Sequence, residues 1–292
     1  MFCEVADTFG YVALWAAMSV SGLVAMLLLS SLLFYPFYVN VSYERWIMKT
    51  NPAFPSPQLV RQEIIQMCRG LSVAILCPVF TLYLSNWGYS NGYCGFNEEH
   101  GLADALKQIL FIVSFTDFTE YAYHWLGHYS KTFWEIHRHH HFFYNPTPFA
   151  VIADEWADQF VRTWPMVIIP LIMRTNMDLL FGVFVFLFYG YGVYLHWGYE
   201  SKLLSAHNPI FNTSYHHYIH HAISARGRPI YTGFFFKIWD AIFNTKEEKP
   251  CSCVECRPAR TKAEFDKVHK PDYSVLLSVS WWMNPTAESK NK

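Results

Sequence analysis

Histidine is the residue type whose placement could do chemistry in this chain. The 292 residues include 14 histidines, and all but His100 and His269 fall between His124 and His221. Most lie in three tight groups: His124 with His128, His137 with His140 and His141, and His217 with His220 and His221. On a helix, spacings of three and four residues bring side chains onto one face, a turn apart. Neutral imidazole is a general transition-metal ligand, so paired turns of this kind predict a metal site. His196 brings the well-placed candidates to nine. One zinc takes four ligands, so nine imidazoles suit two metals with four or five each. Carboxylate-bridged di-iron proteins carry a Glu-x-x-His signature on paired helices, and that signature is absent here. Imidazole alone leaves zinc, iron and copper open. His100, His207 and His269 stand alone and read as satisfied polar residues, while His139 and His216 point to other helical faces.

The elements that must carry these groups are membrane helices. The chain is 52% hydrophobic and 15% charged, against about a quarter charged in soluble domains. No Asp, Glu, Lys or Arg occurs from Thr8 to Tyr43, or from Gly70 to Asn97. A bilayer-spanning helix needs about 20 such residues. The net charge of −1 points to neither nucleic acid nor an acidic partner. Spans are expected at 11–35, 71–87 and 102–123, followed by a hairpin at 164–173 and 179–199 whose short first arm spans or only dips. The first apolar run is too long for a signal-peptide core and reads as a retained helix. The fold class is therefore all-α: a membrane helical bundle of about three spans plus one hairpin, capped by the His-rich helices. Arg45, Lys49, Arg61 and Arg69 place segment 40–70 in the cytosol by the positive-inside rule. Residues 124–163, and everything from 200 onward, then become a cytosolic cap, with the N-terminus and the loop near residue 98 outside. Metal ligands at a membrane surface suggest a lipid substrate, and redox chemistry on a lipid favours iron.

The three His groups, with hydrophobic hairpins between them, resemble the fatty acid hydroxylase superfamily of integral membrane di-iron oxygenases. Several stretches are similar to sterol 5-desaturases in particular: Thr116 to Phe118, Pro146 to Ala150, His196 to Pro209, and Lys237 to Asp240. The resemblance covers roughly 56–245, which divides the chain into an N-terminal helix and connector (1–55), a catalytic domain (56–245) and a cytosolic tail (246–292). It implies a sterol substrate, O2 as oxidant, reduced cytochrome b5 and its reductase as electron source, and the endoplasmic reticulum as location. It also implies two iron ions, with zinc able to replace them in purified protein. There are departures. Sterol 5-desaturases carry two further histidines after Pro-Thr-Pro-Phe-Ala, where this chain has Val151 to Glu155. The stretch Ala225 to Pro229 also differs, and Tyr231 to Thr245 is as similar to fatty acid 2-hydroxylases. Sterol desaturation ranks first, hydroxylation of a sterol or fatty acyl chain second. A metal-binding membrane protein without turnover is the alternative of another class, disfavoured because transport residues sit near the bilayer midplane.

Metal-bound His normally donates its other N–H to a carboxylate or carbonyl. Glu120 and Asp117, one and two turns before His124, and Glu200, one turn after His196, are the candidates for that role. Asp154, Glu155 and Asp158 read equally as a solvated acidic face. The chain has no His-Pro-Gly-Gly haem motif and no Gly-x-Gly-x-x-Gly fingerprint, so electrons must come from a separate protein. Arg226 and Arg228, just after the third His group, are the candidate docking site for an acidic donor, supported by Lys237 and Lys246. Cys251, Cys253 and Cys256 are either tail thiols or three ligands of a structural zinc, with a fourth such as His269.

Overall fold

The computed structural model describes residues 2–95 and 101–284; His100 lies outside them. A single long helix, α1 (Phe2–Phe34), runs on through a π-helical turn at Tyr35–Val39. It turns at Gly10, whose φ of 81° disfavours any side chain. Val12, Val20, Leu28 and Leu32 of α1 are exposed, a pattern that suits lipid and not water. After a single turn, α2 (Tyr43–Trp46), the chain enters α3 (Pro57–Ala74) and α4 (Leu76–Asn86). Ser56 caps α3 through Leu59 N, and Pro57 occupies the first helical position. Next come α5 (Leu102–Tyr129) and α6 (Lys131–His137), then α7 (Trp156–Arg162) and α8 (Pro165–Ile172). The last apolar stretch is α9 (Met177–Val183), a π-helical segment at Phe184–Tyr189, and α10 (Gly190–Leu195). The third His group rides on α11 (Ser214–Ile223).

Three helices are long and apolar enough to cross a membrane: Phe2–Val39, Pro57–Asn86 and Met177–Leu195. The chain is an all-α membrane protein. The second of these starts earlier than the apolar run at 71 suggests, because the amphipathic turns of α3 continue into α4 with only Ile75 between them. The expected span at 102–123 lies in α5, whose 28 residues extend about 42 Å. It is less apolar because Gln108, Asp117 and Glu120 are buried against the rest of the protein. At eight residues, α8 rises only about 12 Å, too short to span. Strand is almost absent: among the described residues, Gly92–Tyr93 pairs in parallel with Thr175–Asn176. The core between the helices holds Leu14, Met67, Leu82, Ile112, Ile152, Ile169 and Leu180, all fully buried.

The two ends of α1 mark the two ends of the molecule. At its start, Cys3 is disulfide-bonded to Cys94. Near its other end, the Ser30 hydroxyl donates to Pro148 O at 2.9 Å and the Tyr38 hydroxyl to Trp197 O at 2.9 Å. The His groups gather at that second end. Segment 246–284 also belongs to the folded body: Cys253, Phe265, Tyr273 and Trp281 are buried. Arg257 donates to Ile47 O at 2.7 Å and Arg260 to Lys49 O at 2.6 Å, tying the tail to the connector after α1.

Candidate metal centre

The nine histidines converge as two adjoining groups. His124, His128, His137, His141 and His220 form one; His140, His196, His217 and His221 form the other. Within each group the potential ligating nitrogens lie within 4.8 Å of one another. The division follows from local backbone. α6 ends at His137, and His140–Phe142 forms a separate 3₁₀ turn, so His140 departs from the face shared by His137 and His141. On α11, His220 joins the first group while His217 and His221 join the second. Gly127 lets α5 come close enough: a Cβ there would sit 3.1 Å from the His137 ring.

The outward nitrogens are held by acceptors. His124 Nδ1 donates to Thr232 O at 3.0 Å, His128 Nδ1 to Ala225 O at 3.3 Å, and His220 Nδ1 to Ile230 O at 2.6 Å. In the second group His196 Nδ1 donates to Gly192 O at 2.8 Å, and His140 Nδ1 lies against the Asp154 carboxylate. His137 Nδ1 donates to Asp158 at 3.0 Å. A ring that donates from Nδ1 while neutral has only a lone pair at Nε2. Burial, reinforced by the neighbouring imidazoles, pushes His124, His141, His217, His220 and His221 well below the usual range, and brings His128 and His196 down to about 3. Consequently His128 Nε2 and His220 Nε2, 3.3 Å apart, oppose lone pair to lone pair. His196 Nε2 and His140 Nε2 do the same at 3.4 Å. His124 Nε2 is buried with no hydrogen-bond partner. Converging lone pairs without protons repel one another unless a cation sits between them. The donor set therefore fits bound metal, and its all-nitrogen character suits zinc, copper or iron.

The buried carboxylates differ from the three inferred from spacing. Asp117 accepts from Phe235 N and Trp239 Nε1, both at 2.7 Å, and so braces the segment after the third box instead of a ligand. Glu200 accepts from Val254 N at 2.9 Å and pairs with Arg257, because the chain turns away from His196 at Gly198. Glu120 pairs with Arg162, whose guanidinium also reaches Asp154 at 3.1 Å. Glu120 thus reaches a ligand only through Arg162, Asp154 and His140. Asp154 and Asp158, which read as a solvated face, are fully buried and take the role expected of the others. The Asp154 carboxyl, though burial opposes it, is held below the usual range by His140 and Arg162. The missed signal is Arg162, a lone cation four and eight residues beyond those two aspartates. Arg226 is exposed. Arg228, also exposed, lies 3.3 Å from Glu247. Lys237 is committed elsewhere, donating to Ala206 O and Asn208 O at 2.8 and 2.7 Å.

One open approach reaches the centre, and apolar cavities lie among the membrane helices. An open cleft of about 900 Å³, lined by Arg69, Trp134, Arg138 and Tyr144, reaches His141 of one group and His221 of the other. An apolar cavity of about 260 Å³ lies between α1, α4 and the π-helical segment. It shares Phe184 and Tyr189 with a smaller cavity of about 50 Å³ bordered by Glu120, Val151 and Arg162. π-Helical turns recur at functional sites, and here one lines both cavities.

Residues 109–245, which hold all nine histidines, match the fatty acid hydroxylase family model. This segment is similar to fatty acid hydroxylase domains. The chain carrying it is similar to the lathosterol oxidase of Rattus norvegicus, 27% identical over 219 residues covering 73% of this chain and 71% of that protein. It is likewise similar to the lathosterol oxidase of Homo sapiens, 28% identical over 213 residues, 71% of this chain and 69% of the relative. A Delta(7)-sterol 5(6)-desaturase of Candida glabrata is 26% identical over 272 residues, 90% of this chain and 71% of the relative. No solved structure matches.

Proposed function

We propose that this chain is an O2-dependent membrane oxidoreductase that introduces a double bond into a sterol ring. The observation that carries the reading is the convergence of nine imidazoles in two adjoining groups, in a chain whose membrane-spanning helices enclose an apolar cavity. Nine imidazoles would hold two iron ions: His124, His128, His137, His141 and His220 for one, His140, His196, His217 and His221 for the other. When bound, such a pair supplies the redox chemistry for removing hydrogen from an unactivated carbon with O2. The protein's part is positioning. Asp154, Asp158 and the backbone carbonyls fix the ring tautomers, and Arg162 neutralises the buried carboxylates behind them. Phe184, Phe188 and Phe234 would pack a rigid apolar substrate near the centre and keep water from it.

Orientation and electron supply belong to the same proposal. The basic connector supports a centre on the cytosolic side of the endoplasmic reticulum membrane. The Cys3–Cys94 disulfide, at the far end of α1, supports this because disulfides persist on the oxidising side. An acidic cytochrome b5, itself reduced by its reductase, would dock over Arg226 and Arg228. Arg69 and Arg138, which line the open cleft, offer a second basic surface.

Hydroxylation is the second reading. Val151 and Ile152 stand where sterol 5-desaturases carry further histidines, and both are buried and apolar. The experiment that tests the proposal supplies membranes containing this chain with a Δ7 sterol, NADH, cytochrome b5 and its reductase. A product lacking two hydrogens supports desaturation; one gaining an oxygen atom replaces it with hydroxylation. No oxidised product from any sterol or fatty acyl lipid tested would reject both.

A further inference from the structure

The geometry points to a second metal site, a structural zinc held by His207, Cys251, Cys253 and Cys256. Their ligating atoms all lie within 4.8 Å of one another. His207 Nε2 is 3.2 Å from Cys256 Sγ and 3.4 Å from Cys253 Sγ. A tetrahedral zinc with Zn–S near 2.3 Å and Zn–N near 2.0 Å holds its sulfur and nitrogen ligands roughly 3.5 Å apart. The set is Cys₃His, which closes the coordination sphere as structural zinc sites do. The backbone around the sulfurs is arranged for the same purpose. Cys253 N points at Cys251 Sγ at 3.5 Å, and Cys256 N and Arg257 N both donate to Cys253 O, at 3.0 and 2.9 Å. That tight turn is what brings Cys253 and Cys256 to one side.

The fourth ligand comes from far along the chain, on the loop between His196 and the third His group. A turn presents it, with His207 N donating to Ser205 Oγ at 3.1 Å. The same two segments are sewn together by Ser205 Oγ donating to Glu255 at 2.5 Å and by Val254 N donating to Glu200. The isolated histidine and the three tail cysteines are thus one unit, with His207 in the place that spacing alone offered to His269. The zinc would clasp the tail to the loop that precedes α11. Through Arg257 and Arg260 it would also hold the connector at 47–50. It is a cross-link, separate from the histidine centre in residues and in task, and needs no redox step.

The test uses the full chain purified in detergent without chelator, with zinc counted by elemental analysis. The Cys253→Ser/Cys256→Ser double variant should lose one zinc per chain relative to the unaltered protein, and its tail should be cut faster by protease. His207→Cys, which preserves a four-ligand set, should keep that zinc. Equal zinc in the unaltered and double-variant proteins would overturn the site. So would finding two of the three cysteines joined as a disulfide, with no zinc, in freshly prepared protein.

Discussion

The carboxylate of Asp158 accepts a hydrogen bond from His137 Nδ1 at 3.0 Å, both side chains being fully buried. The contact fixes the His137 tautomer with its Nε2 turned toward His141 Nε2, 3.2 Å away. Partners of this kind set ligand orientation, and their loss costs about 10- to 100-fold in metal affinity. Asp158→Asn should therefore speed metal loss to a chelator by that order while leaving the helical fold intact, as followed by circular dichroism. Unchanged metal release would mean that His137 is not a ligand.

Arg162 is the counter-charge for two buried carboxylates, Glu120 and Asp154. Removing one partner from a buried ionic cluster leaves the others uncompensated, at a cost of about 3–5 kcal/mol. Arg162→Met should lower the thermal midpoint sharply, and adding Glu120→Gln should recover part of the loss. A thermal midpoint equal to that of the unaltered protein would show that the cluster is not coupled.

Lys49 is buried beside the aromatic rings of Tyr38, Phe54 and Tyr199. Burial, with help from Arg260, lowers its pKa from 10.5 to about 7. Between those values the unfolded chain holds a proton that the folded chain has released. Stability then rises with pH from about 7 toward 10.5 and is independent of this group below 7. Thermal midpoints measured across that window should climb in the unaltered protein and climb less in Lys49→Met. An identical slope in both would assign the rise to other groups.

The electron-supply proposal predicts a salt-sensitive encounter. Reversing the charges of Arg226 and Arg228 should slow turnover driven by cytochrome b5, with the defect shrinking as ionic strength rises. Turnover driven by a small chemical reductant, and metal content, should not change. If cytochrome b5 reduces the double variant at the unaltered rate, donor docking lies elsewhere, with the cleft at Arg69 and Arg138 the next surface to reverse.

Much of this molecule is legible in its residues because the informative patterns are local. Uncharged runs announce α1 and α4, and spacings of three and four residues single out the nine histidines that converge. What is hidden depends on contacts between distant segments. Nothing near His140 or His220 says which metal group each joins; the break between α6 and the 3₁₀ turn decides one, and the approach of His220 to His124 and His128 the other. Asp154 and Asp158 resemble a solvated acidic face until the fold brings Arg162 against Asp154 and His137 against Asp158. Asp117 and Glu200 sit at the right spacing from a histidine, but spacing does not reveal that Trp239 and Val254 claim their oxygens. The Cys3–Cys94 disulfide spans a separation of 91 residues, and only the hairpin of α1 with α4 closes it.

Counting metal in the histidine centre tests the account most directly. Full-length chain carrying Cys253→Ser/Cys256→Ser, purified gently without chelator, isolates that centre from the proposed zinc clasp. Two transition-metal ions per chain are expected, falling when His220→Ala opens one group or His196→Ala opens the other. One ion or fewer in the parent, or two ions retained in both histidine variants, would contradict a two-metal centre built on nine imidazoles.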